Sequence, residues 1–270
     1  MENIRQAVER ARAARGLDGK TPLTGGNQWQ QGPARSPVPD EWTHDLVASH
    51  LEAHRIIAHD SSDARSRTYD MLRTQVLRSM DLNARNVLAI TSPTAACGKT
   101  LTAINLALSI ARQPERSVLL LDMDIQKGQV AKCMGLKFDD GLLSVLEGRV
   151  SLSSAIIRAR AGKNSVMVLP TEIASSGSSD WMTSHAMTRL FEQVRAEFQS
   201  HIVIVDLPPL LYGDDVISVL PQVDCVLLVA AVGTSKISEI QECNKYLQSS
   251  EVVRLVLNKA REASANYYYY

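Results

Sequence analysis

Gly98-Lys99-Thr100 follows the apolar run 87–91 (VLAIT) and opens an amphipathic stretch, 99–112. At such a junction, backbone N–H groups and the helix N-terminus surround a nucleotide's β-phosphate, a lysine ammonium reaches the β and γ oxygens, and a threonine hydroxyl is offered to Mg²⁺. Pro93 stands where the usual loop pattern begins with glycine, so the strand–loop–helix context carries the assignment. Two further apolar runs end in carboxylates: 118–122 leads into Asp122-Met123-Asp124, and 202–206 into Asp206-Leu207-Pro208-Pro209. Mg²⁺ keeps several waters and takes one or two carboxylates beside phosphate oxygens. Asp206 suits that role directly or through water, and Asp122 or Asp124 is placed to orient or deprotonate an incoming hydroxyl. One strand-end aspartate is ordinary; three beside a phosphate loop define a nucleotide site.

Hydroxyls that could accept a phosphoryl group are concentrated elsewhere. Tyr267, Tyr268, Tyr269 and Tyr270 account for four of the chain's seven tyrosines. Core packing does not explain them, because termini fray unless tied down. From Asn258, at the end of the last apolar run, the chain to these phenols reaches about 25 to 40 Å at ~3.3 Å per residue. If that run is a parallel strand, the tail leaves from the sheet edge where the phosphate loop lies. Loop and tail together suggest a kinase that modifies itself, with transfer between subunits.

The elements that must position these residues are legible as alternating strands and helices. Short Val-, Ile- and Leu-rich runs occur at 87–91, 118–122, 166–169, 202–206, 225–230 and 252–257. Continuous rather than alternating apolarity predicts burial on both faces, as in a parallel sheet covered by helices. Helices are expected over 99–112, 141–148, 184–198 and 235–249. The expected fold is therefore α/β, a doubly wound, mostly parallel sheet flanked by helices, of the P-loop NTPase kind, with an N-terminal extension. In that extension, 1–16 reads as an amphipathic helix and 17–41, rich in Gly, Pro, Gln and Ser, as a flexible linker. Residues 42–85 read as a helical segment packing on the core, with Ser61 or Ser62 as cap and Tyr69, Leu72, Val76 and Leu77 on one face. The nucleotide-binding domain then spans 86–260 and the tyrosine-rich tail 261–270.

Composition narrows the classes. The chain has 270 residues, 45% hydrophobic, and a formal net charge of zero. That supports one large core and provides no general attraction for nucleic acid. Cys97, Cys133, Cys225 and Cys243 form no CxxC pair, which fits a reducing compartment, the cytoplasm. The N-terminus lacks the apolar region of a signal peptide, and no run approaches the roughly 18 apolar residues of a membrane-spanning helix. A membrane role is expected to come through a partner. Cys97 reads as a small residue that fits the loop, and His54, His59 and His201 show no metal-ligand spacing.

The G-K-T loop, the strand with D-x-D, the strand with D-x-P-P and the tyrosine cluster, in that order over roughly 67–270, resemble the bacterial tyrosine kinases of capsule and exopolysaccharide synthesis. These are relatives of the deviant P-loop ATPases. The resemblance implies ATP and Mg²⁺ as cofactors, with Ala96, Cys97, Gly98, Lys99, Thr100 and Leu101 around the phosphates and Asn258 against the adenine. It implies catalytic roles for Lys99, Asp122, Asp124 and Asp206, with Asp122 the favoured base, and Mg²⁺ contacts from Thr100, Asp122 and Asp206. It also implies a membrane chain-length-determinant protein as activator, a homo-oligomer and a cognate tyrosine phosphatase. Nucleic acid and a membrane span of the chain's own are not expected. Gln126 replaces the arginine of the family's D-x-D-x-R, with Lys127 following, and the ring-forming E-x-x-R-x-x-R aligns with Arg67, Asp70 and Arg73, two of its three charges changed in sign. The early lysine of the partition ATPases would fall at Thr94, and its absence favours the kinase branch. A nucleotide-switched scaffold without kinase activity is the alternative from a different class.

Overall fold

The computed structural model describes residues 43–82, 84–173, 178–249 and 253–260. The helix expected within 1–16, the linker 17–41 and the tyrosines Tyr267, Tyr268, Tyr269 and Tyr270 lie outside the described residues. The strands are β1 (Thr43–Asp45), β2 (Val87–Thr91), β3 (Ser117–Asp122), β4 (Ile157–Ala161), β5 (Asn164–Leu169), β6 (His201–Asp206), β7 (Cys225–Ala231) and β8 (Val253–Asn258). They form one sheet in the order β1-β4-β5-β3-β6-β2-β7-β8. Every neighbouring pair is parallel except β4 with β5.

The helices are α1 (Ala48–Ala53), α2 (Ser66–Asp81), α3 (Lys99–Ala111), α4 (Val130–Met134), α5 (Leu142–Leu146), α6 (Leu152–Ala155), α7 (Ser178–Met182), α8 (His185–Glu197), α9 (Asp215–Val219) and α10 (Ile237–Tyr246). All residues of β2, β6 and β7 are buried, which is why their sequences carry no polar alternation. Their side chains still divide by the two-residue period. Val87, Ala89, Leu119, Leu121, Val203 and Val205 face the layer containing Phe191, Val194 and Val216. Leu88, Ile90, Val118, Leu120, Ile202 and Ile204 face the layer containing Val76, Leu77, Ile104 and Leu108. Each such Val, Leu or Ile side chain, fully buried, contributes about 1.5–3 kcal/mol.

The segment read as helical before residue 86 also contributes a strand. Thr43–Asp45 pairs with β4, and Asp45 accepts from Arg160 at 2.6 and 2.9 Å. β4 itself (Ile-Arg-Ala-Arg-Ala) alternates, because it is half exposed, and returns into β5 through the short Gly162-Lys163 turn, with Gly162 at φ +61. Helix α2 begins at Ser66 with Arg65 as N-cap residue, so neither Ser61 nor Ser62 caps it. The hydroxyl of Ser62 instead donates to Asp60. By contrast, Ser184 caps α8, its oxygen accepting from Met187 N, and the apolar face at Met187, Leu190, Phe191 and Val194 turns inward.

Two polar networks hold α3, the helix that begins at Lys99. Asn105 is fully buried. Its Oδ1 accepts from Ile57 N (2.8 Å) and Ala58 N (2.9 Å), joining the segment before α2 to α3. Asp70 accepts from Ser109 Oγ (2.7 Å), Arg73 Nη1 (3.1 Å) and Arg112 Nη2. Burial pushes the Asp70 carboxyl up, but Arg112 and Ser109 outweigh it and leave it below its ordinary value. Asp70, whose charge is reversed from the family's subunit-contact pattern, and Arg73, which keeps it, thus clamp α2 to α3 within the chain.

At the opposite end of β6 from Asp206, His201 is 1% exposed, packs edge-to-face on Phe198 at 5.2 Å, and leaves Nε2 without a hydrogen bond. Burial and the nearby Arg158 lower its pKa to about 4. The unfolded chain binds this proton from an ordinary value of about 6.5, so the stability is full above that pH and is lost as pH falls towards 4, by at most about 1.4 kcal/mol per unit. His201→Asn should therefore lose less stability than wild type between pH 6.5 and 4.5 in urea denaturation. Parallel losses would refute this account of His201.

Candidate nucleotide-binding site

The sheet order assembles the site. The chain leaves β2, passes over the place of β6 to form β3, and returns to insert β6 between them. Asp206 is consequently in register with Ile90 on one side and Asp122 on the other. The carboxyl ends of all three strands meet where the crossover direction changes, the position at which open α/β sheets bind ligands.

The phosphate loop is held from both sides. Thr91 Oγ1 donates to Pro208 O at 2.6 Å, and Leu210 N donates to Ser92 O at 2.8 Å, so the D-x-P-P turn braces the loop's first residues. Across the sheet, Asn258 Nδ2 donates to Cys97 O at 2.9 Å. Gly98 sits at φ +93, and a Cβ there would lie 2.2 Å from Asn258 Nδ2, so glycine is required on both counts. Ala96 also adopts a left-handed conformation (φ 62), exposed at the loop's tip. Cys97 is buried, its Sγ 3.3 Å from Ser235 Oγ, which in turn accepts from Ala231 N at 3.0 Å. Leu101 packs on the core beneath the loop.

Lys99 points inward from the first turn of α3. Its Nζ donates to Asp124 Oδ2 at 2.7 Å and to Thr100 Oγ1 at 3.3 Å. It lies 3.7 Å from Asp206 Oδ1, an ion contact too long for a hydrogen bond. Burial alone would push the ammonium down, but Asp206 and Asp124 outweigh it and raise its pKa. Asp122 is pinned by the backbone: Oδ2 accepts from Val130 N at 2.9 Å and Oδ1 from Asp124 N at 3.3 Å. Burial, then the charge of Asp206, push Asp122 up to about 8. Asp206 is fully buried, and neither of its oxygens accepts a hydrogen bond. Burial raises its carboxyl too, opposed by Lys99.

Lys99, Thr100, Asp122, Asp124 and Asp206 therefore share one site, and Asn258 reaches the loop from two strands away. Sequence reading missed Ser235 and Asp224. Asp224 Oδ2 accepts from Val87 N at 2.9 Å and Oδ1 from Arg195 at 2.9 Å, securing the start of β2. No spacing rule marks either residue, because the strand start and the loop they secure, Val87 and Cys97, lie more than a hundred residues away.

A family model described as an AAA domain matches residues 85–251, a span that takes in the loop and both acidic strand ends. The putative tyrosine-protein kinase EpsB of Ralstonia solanacearum is 30% identical over 200 residues, covering 74% of this chain and 26% of that protein. The chain thus spans about a quarter of the length of such relatives. It belongs to the AAA domain family. The tyrosine-protein kinase CpsD of Streptococcus agalactiae is 26% identical over 204 residues, 74% of this chain and 85% of that protein. Among solved structures, the kinase domain of the Escherichia coli tyrosine kinase ETK superposes with a TM-score of 0.68 at 28% identity, covering 80% of this chain and 84% of that one. The loop that defines this family is a nucleotide-binding loop.

Asp206 has the character of a group kept for a ligand, since an unpartnered buried carboxylate costs stability. Asp206→Asn should raise the stability of the nucleotide-free protein by about 1–2 kcal/mol, read as the urea midpoint; a destabilised variant would show that the fold itself uses this carboxylate. Gly98→Ala should displace Asn258 and lower nucleotide affinity by about tenfold or more, measured by equilibrium titration, and unchanged affinity would contradict the loop geometry described here.

Proposed function

We propose that this chain is a protein-tyrosine kinase that binds ATP with Mg²⁺ and phosphorylates its own Tyr267, Tyr268, Tyr269 and Tyr270, regulating the synthesis and export of a capsular or exopolysaccharide. One observation carries the reading most. Both carboxylate oxygens of Asp206 lie buried beside the loop lysine without a hydrogen bond, an arrangement that suits a cation and phosphates. The relatives' kinase names agree with it.

In this reading residues 86–260 are the catalytic domain, 42–85 the segment packed on it and 261–270 the acceptor tail. Residues Ala96, Cys97, Gly98, Lys99, Thr100 and Leu101 surround the phosphates, and Asn258 borders the base. Thr100 and Asp206 would hold Mg²⁺, with Asp122 adjoining, and the donor set of hydroxyl and carboxylate oxygens fits that hard cation. When bound, Mg²⁺ neutralises charge on the β and γ phosphates. Lys99 exchanges its contact with Asp124 for phosphate oxygens. The tyrosine phenol oxygen attacks the γ-phosphorus, the bond from that phosphorus to the β–γ bridging oxygen breaks, and ADP departs with the electron pair. The phenolic proton passes to a carboxylate, for which Asp122 is the better candidate. Its backbone hydrogen bonds fix its orientation.

The same reading places the chain in the cytoplasm, recruited to the inner face of the membrane by a chain-length-determinant protein and reset by a tyrosine phosphatase. Among the described residues, no helix is long and apolar enough to cross a membrane. Transfer between subunits of a homo-oligomer follows from the tail's reach. With Asp70 and Arg73 engaged inside the chain, the subunit contact uses other residues than the family's usual ones.

Incubation with γ-labelled ATP and Mg²⁺, followed by mass spectrometry, should find phosphate on the tail tyrosines, and Lys99→Met should lower it by about 100-fold or more. An unlabelled tail, or labelling equal in Lys99→Met, would overturn the kinase reading. ATP hydrolysis that persists in either case would point to a nucleotide-switched scaffold.

A further inference from the structure

Helix α9 carries a fourth carboxylate that the reaction above does not use. Asp215 is 8% exposed, and its Oδ1 is buried without a hydrogen-bond partner. The path from Asp206 to Asp215 is constrained. Leu207 N donates to Ile90 O (2.9 Å), Leu210 N to Ser92 O (2.8 Å) and Leu211 N to Pro93 O (3.2 Å), so the connecting turn is stitched to β2 and the loop. Buried Leu210, Val216 and Val219 then hold α9 against the core. Burial first, then the charges of Asp214 and Asp124, push the Asp215 carboxyl up.

A carboxylate oxygen with no donor does nothing for the fold and costs it solvation. Asp206 and Asp215 both have buried carboxylate oxygens that accept no hydrogen bond, at the two ends of one loop-bracing segment, but only Asp206 has Lys99 nearby, at 3.7 Å. Mg²⁺ retains several of its waters when it binds a nucleotide, and those waters need acceptors. We propose that Asp215 is a positioning residue for the nucleotide's Mg²⁺, its free Oδ1 accepting a hydrogen bond from a water of the metal's shell. The assignment rests on the Mg²⁺–nucleotide reading of the site. It explains why a buried aspartate, rather than a neutral residue, opens α9. Outer partners of this kind typically change metal affinity by about 10- to 100-fold when removed.

The test uses the full chain and N-methylanthraniloyl-ADP as a fluorescent probe, with Mg²⁺ titrated at fixed nucleotide. Asp215→Asn should raise the Mg²⁺ half-saturation by about tenfold, while probe affinity without Mg²⁺ stays within about twofold and the metal-free thermal midpoint is unchanged or higher. Asp214→Asn removes the same charge from an exposed neighbour and should shift half-saturation by less than about twofold. The proposal is overturned if Asp215→Asn leaves the Mg²⁺ response as in wild type, if Asp214→Asn shifts it equally, or if Asp215→Asn only lowers the metal-free midpoint. A wild-type protein whose probe binding ignores Mg²⁺ altogether would instead overturn the nucleotide reading on which the proposal stands.

Discussion

Lys99 sets a buried positive charge among three buried carboxylates, and the rest of the domain is organised around keeping that unequal group together. One ammonium does not neutralise Asp122, Asp124 and Asp206. The fold tolerates the excess by three devices: a direct ion pair to Asp124, backbone N–H donors on Asp122, and a raised affinity for protons at Asp122 and Asp206. Such an arrangement is a poor source of stability, because buried charges are expensive unless fully satisfied. It is well suited to receiving a cation and phosphates, which complete the missing half of the charge balance.

Holding the group at separations of a few ångströms requires stiff supports. The carboxylates stand at the ends of strands buried on both faces, so their backbone positions are fixed by the sheet ladder. The lysine begins a helix clamped at its far end by Asp70, Arg112 and Ser109, and at its middle by Asn105. The loop between strand and helix has its own braces, Pro208 on one side and Asn258 on the other. The consequence is a site assembled before any ligand arrives, where binding costs little reorganisation.

Much of this was legible in the order of residue types. Continuous apolar runs marked six strands, five of them because a doubly covered parallel sheet leaves no face for polar residues; β8, at the sheet edge, was expected to be buried but leaves Leu255 and Leu257 more than half exposed. Asp122, Asp124 and Asp206 stood out because each ends such a run. β4 was not legible, since Ile-Arg-Ala-Arg-Ala alternates and is short of bulky residues, and β1 spans three residues only. The cap of α2 was misplaced because Ser62 finds a nearer partner in Asp60. Asp215 went unread because nothing in a Gly-Asp-Asp turn distinguishes a buried carboxylate from a solvated one.

The sequence by itself determined the local devices: a loop with Gly98, Lys99 and Thr100, strand ends bearing carboxylates, and helices of the right period. These depend on neighbours within a few residues, where periodicity and turn chemistry act. Only the tertiary structure decided that β6 inserts between β2 and β3, which puts Asp206 opposite Asp122 and beside Lys99. The same long-range packing decided that Asn258 closes on the loop, that Asp70 is spent on a clamp within the chain, and that Asp206 and Asp215 keep buried carboxylate oxygens without a hydrogen bond. Charge balance and burial are properties of what surrounds a side chain in space, and no reading along the chain contains them.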